Sequence, residues 1–177
     1  MNTPPLQWTI DLSAIGHAAA AFSFEASTAE LMSLKRYVEV EDLTSFKAKL
    51  RIVPIADDKF RVTGTLWADA VQSSIVDLSA VRASIEESFS VEYWPAALIQ
   101  EVRDEAGAPF DEDQPEPIVE GRIPIGLLLG EILAISVDPY PRNEGDVFEW
   151  EPRAEEPEAS PFAELSRLRR PKEPNEP

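Results

Sequence analysis

The chain has 177 residues, enough for one domain and a tail, and its 44% hydrophobic content can fill a core. Its 33 acidic residues against 16 basic ones give a formal charge of −17, which opposes a surface that grips nucleic acid all over and suits plain solubility or a basic partner such as a ribosomal protein. Without cysteine there are no disulfides, thiolate metal sites or cysteine nucleophiles, and the redox compartment stays open with the cytoplasm as default.

From the N-terminus, "LQWTIDL" (6–12) alternates well enough for a first strand, and "AAAAFSFEAS" leads towards a helix. Ser27 with Glu30 three residues on is a capping-box pattern, each side chain able to satisfy an orphan backbone N–H. Leu31, Leu34 and Val38 follow at helical spacing, so one face of a helix packs inward, fraying around Glu39–Asp42. In "TSFKAKLRIVPI" Phe46, Ala48, Leu50 and Ile52 alternate with Ser45, Lys47, Lys49 and Arg51, the period-two mark of a half-buried strand. "ADDK" supplies a turn, and Phe60, Val62, Gly64, Leu66, Ala68 and Ala70 continue on one side. After "QSSIVDLS", Val81, Ala83, Ile85, Phe89, Val91 and Tyr93 alternate with polar residues; Glu87 alone interrupts the apolar side. Short turns between such strands predict an antiparallel meander.

The stretch from Glu101 to Glu120 holds eight acids against Arg103, with three prolines, and reads as an exposed loop. "GRIPIGLLLGEILAISV" then predicts a strand end and a helix from about Ile125 to Val137, with Leu128, Ile132 and Ile135 as its inner stripe. This apolar run is broken by Glu131 and falls short of the roughly 20 residues a membrane span needs. Met1–Gln7 has neither the basic start nor the apolar run of a signal peptide. The fold class expected is therefore α+β: an antiparallel meander of about four to six strands, open or barrel-like, packed with two helices. The domain extends over 1–142, and an acidic disordered linker over 143–159 follows.

The chain closes with "SPFAELSRLRRPK" (160–172), a short basic amphipathic segment. Ser160 and Pro161 suit a helix start, Phe162 and Leu165 stand at helical spacing, and Arg167, Arg169, Arg170 and Lys172 gather at the end. So short a helix is marginal alone and needs a surface, whether its own domain, the acidic loop or an external partner.

Catalytic and metal patterns are sparse. His17 is the sole histidine, which excludes a structural zinc site of usual composition, and no G-x-S-x-G elbow accompanies it. Asp111–Asp113 lack the glycine and spacing of a calcium loop, "GLLLG" (126–130) has little meaning outside a membrane, and no phosphate-cradling loop occurs. No enzyme activity, cofactor or metal is expected. Alternation does gather Lys47, Lys49, Arg51 and Arg61 on the wet sheet face with Trp67, which either stacks on a base or anchors a partner, or is covered by the first helix or the tail.

Four stretches, in order, resemble the YceD family of large ribosomal RNA subunit accumulation proteins in its alphaproteobacterial form. They are "STAELMSLKRYVEVEDLTSFKAKLRIV", "VQSSIVDLSAVRASIEESFSVEYWP", "GRIPIGLLLGEILAISVDPYPR" and "SPFAELSRLR", of which "DPYPR" and "PFAELSRL" are the most telling. The resemblance implies a non-enzymatic, cytoplasmic role in accumulating large-subunit ribosomal RNA. A basic ribosomal protein, an assembly factor or the RNA itself would be the partner. Many relatives carry a cysteine where this chain has Ser74, and proline where it has Ala80, departures that put any metal-linked role of the family in doubt for this chain. A direct RNA-binding module using Lys47, Lys49, Arg51, Arg61 and Trp67 is the alternative reading, with Arg167, Arg169, Arg170 and Lys172 touching RNA or helping to dock.

Overall fold

The computed structural model describes residues 4–15, 18–56, 58–99 and 115–145, which fall in a compact unit, Met1–Asp146. His17, the Asp111–Asp113 run, most of the acidic loop, most of the expected linker beyond 145 and the basic segment (with Arg167, Arg169, Arg170 and Lys172) lie outside the described residues.

The α+β architecture is as the patterning requires. Strands β2 (Ala20–Glu25), β3 (Asp42–Pro54), β4 (Phe60–Ser73), β5 (Ala80–Pro95) and β6 (Glu116–Ile118) form an open sheet in the order β2-β3-β4-β5-β6. A small second sheet pairs β1 (Ile10–Asp11) with β7 (Arg122–Ile123). No barrel closes. β2 to β5 are antiparallel neighbours, whereas β6 joins β5 in parallel at Tyr93↔Glu116, so the sheet is mixed at that edge.

Helix α1 (Thr28–Val38) starts as its sequence dictates. The Ser27 side chain accepts from the Glu30 N–H, while the Glu30 carboxylate accepts from the Ser27 N–H at 2.8 Å. Glu39, in the left-handed region at φ 56, ends the helix. Helix α2 (Ile125–Ser136) is apolar nearly all round. Ile125, Leu129 and Leu133 form its fully buried ridge, and Leu128 and Ile132 its flank. The predicted third member of that stripe, Ile135, is instead 84% exposed.

Helices α1 and α2 and the N-terminal segment close the inner face of the sheet, whose buried residues include Phe46, Ala48, Leu50, Ile52, Val62, Leu66, Ala68 and Ala70. Gly64 in the middle of β4 faces the same way. A Cβ there would stand 2.8 Å from both Leu50 Cβ and Phe89 Cζ, so the Phe89 ring occupies the space that the glycine leaves.

Three further expectations change. Only Ile10–Asp11 of 6–12 is strand; Leu6 and Trp8 instead lie across the start of α2, where the Gly126 N–H donates to the Trp8 carbonyl at 2.9 Å. "GLLLG" therefore has a packing role, since a Cβ on Gly126 would meet Leu6 and one on Gly130 would meet Pro5. The alanine-rich stretch before α1 is β2, with Phe22 opposite Leu50 and Phe24 opposite Ala48; alanine, small enough for either face, hid the period. Residues 116–118 were expected in the loop but form β6, a three-residue edge strand that tolerates Pro117 because a sheet edge has no second ladder to break.

Candidate binding face of the sheet

Antiparallel register converts the alternation in β2 to β5 into rows on the outer face. Glu25, Lys47, Trp67 and Glu86 form one row, Ser23, Lys49, Thr65 and Ser88 the next, and Ala21, Arg51, Thr63 and Ser90 the third. Arg61 stands beside Glu92 further along β4. No residue in these rows is buried, and α1 and α2 lie on the opposite side. Trp67 is thus half-buried among its sheet neighbours rather than covered by α1.

The four sheet cations are not equivalent. Lys47 Nζ lies 3.0 Å from Glu25 Oε1. Arg61 donates through Nε and Nη2 to Glu92 Oε1 at 3.2 and 2.7 Å. Glu92 Oε2 also accepts from Trp94 Nε1 at 3.0 Å, and Lys59 Nζ sits 4.0 Å from the centroid of the Trp94 ring. The Arg61 guanidinium, then the Trp94 N–H, hold the Glu92 carboxyl below its usual range. Asp69 is held down likewise by the hydroxyls of Ser84 and Ser45, at 2.6 and 2.7 Å. These carboxylates remain charged, so the face is mixed in sign rather than uniformly basic.

Lys49 and Arg51 differ. Among the described residues neither has an ion pair, and alternation places them side by side on β3. They border a shallow depression of about 670 Å³ lined also by Ala21, Ser23, Thr63, Thr65 and Ser88, with the Phe22–Leu50–Gly64–Phe89 row between them. Two cations without an ion pair beside four hydroxyls form a recognition patch for phosphate or carboxylate oxygens. Among the described residues no group of three or more His, Asp or Glu is placed to hold a metal.

Charge is unevenly shared along the chain. Of the 33 acidic residues, 16 lie outside the described residues, against six of the 16 basic ones. The described body is correspondingly less acidic than the chain as a whole.

At one end of the sheet, "DPYPR" fastens the β4–β5 turn. Gln72 Nε2 donates to the Asp138 carbonyl at 2.7 Å and the Ile75 N–H to the Pro141 carbonyl at 2.9 Å. Ser74 is fully buried there; its Oγ accepts from the Val76 N–H at 3.1 Å and its hydroxyl bonds the Asp77 side chain. Asp77 in turn accepts from the Ser79 hydroxyl and N–H at 2.7 and 3.0 Å, which keeps its carboxyl below the ordinary range. Ser74 is thus the hydrogen-bonded centre of a turn, and Ala80 simply begins β5 opposite Ser73.

Sequence reasoning found the basic stripe but missed its partial neutralisation. Glu25 belonged to a strand that was not read as one, and the Arg61–Glu92 pair required the β4–β5 register. No family model, curated protein or solved structure matches the chain.

Proposed function

We propose that the chain is a non-enzymatic factor in the accumulation of large-subunit ribosomal RNA. It acts in the cytoplasm by binding a ribosomal protein, an assembly factor or RNA. The observation that carries a binding role is the outer face, on which Lys49 and Arg51 have no ion pair among the described residues and stand beside a hydroxyl-lined depression. Its ribosomal direction rests on the ordered resemblance of "VQSSIVDLS", "DPYPR" and their neighbours to the YceD family, together with an acidity that favours basic partners.

Direct contact with RNA is the second reading, favoured by the same two cations and by half-buried Trp67 two strand positions from the depression. Each phosphate neutralised on a single strand steepens the dependence of log affinity on log salt by about 0.7. The decisive experiment deletes the gene and measures mature large-subunit RNA relative to small-subunit RNA. Complementation with the full chain should restore the ratio, and Lys49→Glu with Arg51→Glu should not. An unchanged ratio on deletion ends the proposal.

A further inference from the structure

Among the described residues one edge of the sheet is left open in a way that specifies what could fill it. β5 pairs with β4 without a register break from Ala80↔Ser73 to Tyr93↔Phe60, yet its other side meets β6 only at Tyr93, Trp94 and Pro95. Among the described residues no other strand pairs with that far side from Ala80 to Glu92. Burial falls across the same strip: Val62, Ala68 and Ala70 of β4 are buried, while their β5 partners Val91, Ile85 and Ala83 are only half-buried. The inner face thus loses its cover at β5, where another strand would restore it. Long regular edges of this kind are templates for strand addition unless they are blunted.

The charges on the edge identify the occupant. Glu86 points to the outer face and Glu87 interrupts the apolar inner face, and both are exposed. Their cross-strand neighbours on β4 are Trp67 and Leu66, so neither carboxylate has a base opposite it within the sheet, and neither has an ion pair among the described residues. A strand laid along β5 would place its side chains beside both carboxylates, and lysine or arginine there would satisfy them. A second copy is disfavoured because each chain carries −17.

We propose that the free edge of β5, from Ala80 to Glu92, docks an extended basic segment of a partner protein, which adds as a further strand with cations beside Glu86 and Glu87. Strand addition explains together the regular unpaired edge, the half-covered apolar residues and the two unanswered carboxylates. The inference narrows the protein-binding form of the proposed role and rests on that reading for the partner's source. Its test contains no ribosomal component, so the two can fail separately.

The experiment titrates the full chain with a labelled decapeptide, Val-Lys-Val-Lys-Lys-Lys-Val-Lys-Val-Lys, and follows anisotropy and amide exchange. A control peptide has proline in place of each valine, with the same charge but too few N–H groups for a ladder. We expect the valine peptide to bind at least about tenfold more tightly than the proline peptide and to slow exchange within 80–92. Glu86→Lys with Glu87→Lys should remove that preference, and the milder Glu86→Gln with Glu87→Gln should reduce it should the first variant fold poorly. Equal binding of both peptides would show attraction to bulk acidity alone and overturn the proposal. Protection confined to β2 or to the depression, or self-association abolished by the same substitutions, would overturn it equally.

Discussion

Trp8 Nε1 donates to Glu30 Oε1 at 2.7 Å, while Glu30 Oε2 accepts from the Ser27 N–H and hydroxyl at 2.8 and 2.7 Å. One carboxylate therefore starts α1 and anchors the N-terminal segment, whose indole stacks on Phe24 at 4.9 Å between ring centroids. The Ser27 hydroxyl, then the Ser27 N–H, and Trp8 more weakly, hold the Glu30 carboxyl below its ordinary value of 4.5. A carboxyl lowered in the folded state contributes stability above its unfolded pKa and loses it as pH falls through the folded one. Urea titrations between about pH 6 and pH 3 should therefore show falling stability, and Glu30→Gln should flatten part of that fall. Ser27→Ala should cost about 1 kcal/mol at neutral pH.

Gly126 offers a sharper packing test. A Cβ there would press on the Leu6 carbonyl oxygen and stand 2.8 Å from Leu6 Cβ, and backbone cannot swing aside as a side chain can. Gly126→Ala should lower stability by about 1–3 kcal/mol in chemical denaturation. The neighbouring exposed Leu127→Ala should stay within about 0.5 kcal/mol. Equal losses at the two positions would refute the account of the seam between α2 and the N-terminal segment.

Ser74 is buried with both hydroxyl roles in use. Ser74→Ala should leave the Val76 N–H unanswered and cost about 1–3 kcal/mol by thermal or urea unfolding. Ser73, next to it, is only half-buried, and its hydroxyl donates to the Leu78 carbonyl at a longer 3.3 Å, so Ser73→Ala should cost less.

On the outer face, pairing ranks the cations. Lys49→Gln and Arg51→Gln remove bases free to meet a phosphate, whereas Lys47→Gln removes one already held by Glu25. For binding of a single-stranded ribosomal RNA fragment, each of the first two should lower the salt slope by about 0.7, and Lys47→Gln should change it less. A slope insensitive to all three substitutions would remove direct RNA contact through this face.

Where alternation was clean, as at 44–55, 60–70 and 81–93, strand and face were legible from the chain, because a half-buried strand leaves no other arrangement for its apolar residues. Likewise, Ser27 and Glu30 specified the start of α1 by local hydrogen bonding alone. Contacts distant in sequence were different. β6 exists because β5 offers it an edge, and Lys47 is neutralised because β2 brings Glu25 across the sheet. Periodicity follows from one segment meeting one apolar surface, so the sequence by itself determined which residues turn inward. Which charges meet, and which edge stays empty, depends on what lies alongside, and only the tertiary structure decided that.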